Sequence, residues 1–587
     1  MSLREKLNAG TPILFDPAAP ADSRCIEAKW IQEAVDAKAA VILDHAILRG
    51  PLDLRYRCIE HELRITNCTF EGSANFSYSS FKAASDFSRS NFKAAPDFQS
   101  ATFQFDLQLT GTVFEAGDVR WSRANIRQQL LAEGVIFRSA ANAHFDNSSC
   151  GDLALFTHAE FRGSADFSGI HIARSAMFSG SRFGKDANFV NARVDGDLSF
   201  AVSAGGYPGA SFDSDVRFDG IYILGRGNFR GVEFRGDASF LWADIKGPSS
   251  FGTDELGLNA AHFEGAADFR DSVLNGDGDF DGVVFAEEAK FSSVRCGGTL
   301  TFKSAEMRGP AKFDGISVDE ELNFEDARFL SAAAPALFEK ASVNSSLFFS
   351  RAQFNNGASL EGMRVEGAVA QFNDAQFSNP TSFAATSFSG SCEFLGTRFL
   401  KGSRPLFDGA HFGCGCSFDR AEFADDVRCR AVEFKGEASF QGTDFQAIAD
   451  FSISHFEDIA RFDGKPAEAG RAPIPAAQFH GPLCVEHVRF DCDARFDDVL
   501  FHDLVRFRET TFRVVYFSAT GRVGDQPQIR GAMELTGCTY NRIRADWRSL
   551  LQAVRRYELS PHASYDRQPY AQLEKTYRAA EMQMTSI

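Results

Sequence analysis

The sequence predicts an all-β solenoid, a four-sided parallel β-helix closed by short helical caps at both ends. Three observations predict it. Phe occurs 61 times against 10 Tyr and 4 Trp, an imbalance that ordinary domains do not show. Phe stands at 70, 76, 81, 87, 92, 98 and 103, alternating steps of six and five residues, so the repeat unit is eleven residues. The residue two before each Phe is small and the one between is polar, as in Ala74, Ala143, Ala165 and Ala449.

Small, polar, large is the period-two pattern of a very short strand with two inward side chains and one outward. A helix at 3.6 residues per turn cannot hold steps of five and six on one face. Two eleven-residue units close into a four-sided coil of roughly 22 residues, and about 20 coils stacked at strand spacing would give a rod on the order of 100 Å long. The rhythm returns from Phe412 to Phe462, with Cys429 in place of one Phe, and again from Val485 to Phe512. The six-residue step often carries Gly at its corner, as in Gly163 and Gly436, where a turn with positive φ is the expected reason.

Open β-helix ends expose strand edges and need covers. Cys25, Ile26, Ala28, Trp30, Ile31 and Val35 form a helix-like stripe over 24–37, and the segments 546–557 and 569–580 read as two amphipathic helices, with Trp547, Leu550, Leu551 and Val554 on one face. This divides the chain into an N-terminal segment with a capping helix (1–40), the β-helix (41–540) and a C-terminal helical hairpin (541–587). Loops near 203–210, 246–259, 330–336 and 464–477 break the rhythm, and such extrusions are where partners are commonly read.

The triplets Ala74-Asn75-Phe76, Ala165-Asp166-Phe167, Ala187-Asn188-Phe189, Ala267-Asp268-Phe269 and Ala449-Asp450-Phe451 resemble the A(D/N)(L/F)xx unit of pentapeptide-repeat proteins. The resemblance covers about four-fifths of the chain and implies a right-handed quadrilateral β-helix, in keeping with the handedness of parallel crossovers. The sequence departs from the family by inserting one residue at every second step. Some members mimic duplex DNA and bind type II topoisomerases, which makes a topoisomerase one candidate partner. The segment 568–578 resembles the helical end of longer members that continue into a membrane segment. That implies, as an alternative, a membrane- or complex-associated accessory subunit docking through the C-terminal helices; no such membrane segment follows here, which counts against membrane attachment.

A formal charge of -18 disfavours gripping phosphate backbones, so no direct nucleic-acid binding is expected and basic partners are favoured. The sequence contains no run of eighteen apolar residues and no apolar signal near Met1, which makes the cytoplasm the default compartment. Twelve Cys in so long a chain read as reduced thiols. Cys392 and Cys416 take the small inward position, and with Cys429 they should behave as buried small hydrophobes.

Chemistry is sparse. His480, Cys484, His487 and Cys492 loosely resemble a zinc site in spacing, but Cys484 should point outward, Cys492 should sit at a corner, and no CxxC pairs them. Asn275 to Asp281 begins like a calcium loop, but Phe280 stands where the Gly is required. No nucleophile and base are placed together. The expectation is a non-catalytic protein-interaction scaffold without cofactor or metal. Arg542, Arg544, Arg548, Arg555 and Arg556 could mark its partner surface, and an uncapped end would favour a homodimer.

Overall fold

The computed structural model describes residues 1–202, 206, 208–254, 257–466, 472–518, 529–545, 547–560 and 566–584, without the side chains of 547 and 579–584. Two compact units divide it, Met1–Gly298 and Thr299–Ile587, and each is a parallel β-helix.

In the first unit, strands pair with their equivalents one coil later. Phe70 lies opposite Phe92, and Phe92 opposite Phe114, a step of 22 residues that brings identical side chains into one column. Phe145, Phe167 and Phe189 stack at 5.0 and 4.9 Å, with their planes 1° and 3° apart. Phe178 meets Phe167 and Phe189 edge-on, at 84° and 87°. Offset stacking within a column and edge-to-face contact between columns are the arrangements that the ring quadrupole favours. Trp121 replaces Phe in one column, buried between Phe98 and Phe145. The step widens to 29 residues between Phe183 and Phe212 and between Phe234 and Phe263, yet those rings still stack at 4.7 and 4.5 Å. The sequence breaks around 203–210 and 246–259 are therefore insertions between coils; residues 203–205, 207, 255 and 256 of them lie outside the described residues.

The small inward position is often Ser or Thr, and its hydroxyl serves the backbone. Ser79, Ser90 and Thr112 donate to the carbonyls of Leu54, Ile65 and Phe87, each 25 residues earlier, at 2.6 to 2.8 Å. A buried hydroxyl is tolerated because it is bonded.

The corners alternate. Five-residue corners carry a left-handed residue two after the Phe, as at Tyr78 (φ 59°), Arg89 (φ 56°) and Asn147 (φ 53°). Most six-residue corners do not, Gly50 (φ 82°) and Asn379 (φ 64°) being among the exceptions, which corrects the expected reason for the glycines at 163 and 436. Gly163 and Gly436 have no positive φ; a Cβ on Gly163 would lie 2.1 Å from the carbonyl oxygen of Ala141, and one on Gly436 2.6 Å from the carbonyl carbon of Cys414. Close approach of the preceding coil, and not backbone conformation, demands Gly there. At Val113–Arg120 and Ile136–His144 the corner disappears and two short strands merge into one of eight and one of nine residues.

The N-terminal stripe was expected to be helical from residue 24. Instead Cys25–Glu27 is a strand, paired with Ile47–Arg49, because that edge needs a partner and the coil supplies one. The helix α2 follows over Ala28–Asp36 and buries Ala28, Ile31, Ala34 and Val35. Before it, α1 (Leu3–Asn8) opens with a capping box between Ser2 and Glu5, and Ile13–Leu14 pairs with Val41–Asp44.

The second unit repeats the architecture. Phe329, Phe354, Phe377, Phe399 and Phe423 stack in one column at 4.6 to 5.2 Å. The step is 25 residues from Phe329 to Phe354, which absorbs the break at 330–336. It is 34 from Phe445 to Phe479, which holds the insertion at 464–477. There Lys465 and Ile474 exchange backbone hydrogen bonds of 2.8 and 2.9 Å; residues 467–471 lie outside the described residues. Two helices follow the last coils, α3 (Trp547–Glu558) and α4 (Gln568–Met584). Asp546 and the Trp547 side chain, placed on the hairpin face from sequence, lie outside the described residues. No helix among the described residues is long and apolar enough to cross a membrane.

Candidate functional site

The residues with metal-ligand spacing find other partners. His480 lies 3.2 Å from Asp444 and stacks on His502, with ring centroids 4.6 Å apart. Burial, then the neighbouring His480 and Arg530, hold the His502 imidazole below its ordinary pKa. His487 pairs with Glu509 at 3.2 Å. Cys484 is half-buried opposite Asp450 and Arg506, and burial pushes its thiol up. Cys492, expected at a corner, lies inside the strand Arg489–Arg495, whose register shifts between Phe490 and Asp493. A bulge replaces the turn. Cys392, Cys416 and Cys429 are buried in the core, and burial raises all three thiols.

The five arginines at the C-terminus divide into two groups. Arg556 donates from Nε to the Gly531 carbonyl (3.0 Å) and from Nη2 to that of Ile529 (2.6 Å), so it ties α3 to the last coil and satisfies strand-edge carbonyls. Arg544 lies over the Tyr516 ring at 5.4 Å. Arg542, Arg548 and Arg555 are exposed. Sequence reasoning missed the charged group beneath α3. Glu534 is only 2% exposed and accepts from Arg506 at 3.1 Å and from Arg508 at 2.8 Å. The Gln568 side chain closes the cap by bonding the Gly537 N–H and the Cys538 carbonyl.

Two concavities flank these elements. One, of about 380 Å³, lies between α3 and α4 and is lined by Leu551, Tyr570, Leu573, Glu574 and Tyr577. The other, of about 800 Å³, lies where the insertion meets the coil face; Lys465 and Ile474 line it opposite Asp374, Glu393, Asp419 and Glu437. Glu393 accepts from the Gln371 and Asn373 side chains, and Asp419 from Ser439, so both carboxylates are positioned. Among its charged lining residues the four carboxylates outnumber Arg420 and Lys465, beside apolar surface from Leu395 and Ile474.

Elsewhere the outward acids are commonly neutralised on the spot. Asp268 pairs with Arg270 at 2.6 Å, Asp219 with Arg217 at 2.7 Å, and Arg351 with both Glu325 and Asp326.

Comparison with known proteins gives matches of two kinds. A family model described as "Pentapeptide repeats (9 copies)" matches residues 156–203 and 258–306. Among solved structures, the chain is similar to HetL, a pentapeptide repeat protein involved in heterocyst differentiation regulation from the cyanobacterium Nostoc sp. The identity is 13%, over 48% of this chain and 88% of that one, with a TM-score of 0.20. None of the curated proteins matches.

Proposed function

Because the chain belongs to the pentapeptide-repeat proteins, we propose that it works as a non-catalytic scaffold that holds a protein partner, and that the partner docks in the acidic concavity under the insertion at 464–477. One observation carries this reading: an extruded segment meets the coil face over a cleft of about 800 Å³ whose charged residues are mainly acidic. Recognition favours sites where polar groups converge in a concavity. The wall residues Asp374, Glu393, Asp419 and Glu437 call for a partner with basic side chains, as the net charge of -18 does. Ion pairing of outward acids such as Asp219 and Asp268 interrupts the acidic surface that a DNA mimic needs.

The test compares capture of partners by the native chain with capture by two double variants. Asp374→Lys with Glu437→Lys reverses exposed charge in the concavity; Leu551→Asp with Tyr577→Asp alters the cleft between α3 and α4. Loss with the first pair and retention with the second supports the proposal. The opposite pattern moves docking to the C-terminal helices. Deleting 541–587 is a poorer test, because Arg556, Leu550 and Val554 cover the last coil and their loss would expose its core.

A further inference from the structure

An imidazole and two carboxylates converge on the outer surface of the first unit. One ligand-capable atom each from His144, Asp146 and Asp166 lies within 4.8 Å of the others, the single place among the described residues where three such groups do so. Coil register brings them together. His144 and Asp166 are Cα partners on neighbouring coils, and Asp146 follows His144 by two, across the buried Phe145. Asp118 adds a third carboxylate, 3.5 Å from His144 Nε2 and itself 3.9 Å from the Arg120 guanidinium.

Two further observations describe the carboxylates of this cluster, the first of them shared with acids such as Asp86 and Asp97, which backbone N–H groups hold at 2.9 Å. Asp195, Asp213, Asp219 and Asp268 each pair with an arginine. Asp146 and Asp166 meet no Arg or Lys within ion-pair distance among the described residues, so their charge lacks a cation. Neutral donors hold them instead. Ser122 and Asn147 bond the two oxygens of Asp146. Asn188 and the Ser168 N–H both bond Oδ1 of Asp166, which leaves its Oδ2 free to face a ligand. Outer hydrogen bonds of this kind orient carboxylates around a metal. The cluster also ends the nine-residue strand Ile136–His144, one of the two places in this unit where the corner is abolished.

We propose that His144, Asp146 and Asp166 bind one divalent cation of the zinc or manganese class, with Asp118 as a further ligand. One imidazole nitrogen with carboxylate oxygens suits these ions, whereas Ca²⁺ takes six to eight oxygens. Ligand bonds of roughly 2.0 to 2.2 Å need donor atoms about 3 to 4.3 Å apart, so small side-chain rotations complete the site. The ion would pin two neighbouring coils and leave coordination positions for water or a partner's side chain.

The experiment titrates the metal-free full-length chain with Zn²⁺ and, separately, with Mn²⁺ by calorimetry, then counts metal retained after desalting. One equivalent should bind, and Asp166→Asn or His144→Gln should weaken it at least tenfold. Asp444→Asn, beside His480, should leave it unchanged. All three positions face outward, and circular dichroism checks that each variant folds. As a second readout, metal should raise the thermal midpoint of the native chain and not that of the His144 variant. Equal binding by native chain and variants overturns the proposal, as does no binding at about 100 μM metal, a concentration far above a useful Kd for a three-ligand site.

Discussion

Replacing Gly163 by Ala separates two reasons for a corner glycine. The new Cβ would lie 2.1 Å from the Ala141 oxygen, 2.8 Å from the Ala141 carbon and 2.9 Å from Asn142 Oδ1. Carbon and oxygen in contact want roughly 3.2 Å or more, so the coils must part locally by about 1 Å, and overpacking of this kind costs about 1 to 3 kcal/mol. The ladder beside it suffers as well. Ala143 N–H donates to Ser164 at 2.9 Å, and Arg162 N–H to Phe137 at 2.9 Å; weakening one such bond adds about 1 kcal/mol. The expected cost is therefore about 2 to 4 kcal/mol. The control is Gly134→Ala, where φ is +63° and a Cβ meets nothing within 4 Å. Left-handed strain of about 1 to 2 kcal/mol is there partly offset by about 0.4 to 1 kcal/mol from the restricted unfolded chain. The net cost should be about 1 kcal/mol. Because solenoids unfold by neighbouring units, the assay is hydrogen exchange at the flanking amides, read by mass spectrometry in the full-length chain. Gly163→Ala should deprotect 141–145 and 162–166 by at least about fivefold more than Gly134→Ala deprotects its own corner, since about 1.4 kcal/mol is tenfold. Equal or smaller deprotection would refute the close-approach argument.

Three further outcomes follow from the same geometry. Phe167→Ala removes a ring stacked on Phe145 and Phe189 and should cost about 3 to 5 kcal/mol locally; Phe167→Leu should cost clearly less, by the same exchange measurement. Alkylation near pH 8 should label the exposed Cys58 and Cys414 while leaving the buried Cys392, Cys416 and Cys429 unmodified until unfolding, and rapid native-state labelling of Cys416 would contradict the inward placement. Burial pushes the Cys68 and Cys538 thiols up to about 12. A raised thiol stays protonated in the folded chain where the unfolded chain has ionised. Its contribution is complete below about pH 8.5 and is lost as pH rises through 9 to about 12. The denaturation midpoint should therefore fall across that alkaline window, and Cys68→Ala with Cys538→Ala should flatten the fall.

The columns were legible in the sequence because register is written in it: a Phe at most inward large positions fixes the 22-residue step of the regular coils without any knowledge of contacts. The helical hairpin was legible for a related reason, since Leu550 and Val554 repeat at helical spacing. What a single coil cannot encode was not legible. Gly163 owes its identity to Ala141 on the preceding coil, which no local turn rule contains. The stretch from Cys25 to Glu27 resembles a helix start, yet it becomes a strand because Ile47–Arg49 offers an edge. Arg556 reads as surface charge until the carbonyls of Ile529 and Gly531 come beneath it. The cluster at His144 is invisible for the same reason, because Asp166 joins it only through stacking. His480, Cys484, His487 and Cys492 show the converse, with His480 and His487 engaged by Asp444 and Glu509.

The measurement that tests the scaffold reading most directly is site-specific photo-crosslinking from single positions of the full-length chain in its host cells. A photoreactive residue at Asp374 or Glu437, inside the concavity under the insertion, should give one discrete crosslinked protein species, while the same residue at the exposed Trp242 or Leu224 should not. Crosslinks from Trp242 and Leu224 with none from the concavity, or none from any of the four, would contradict it.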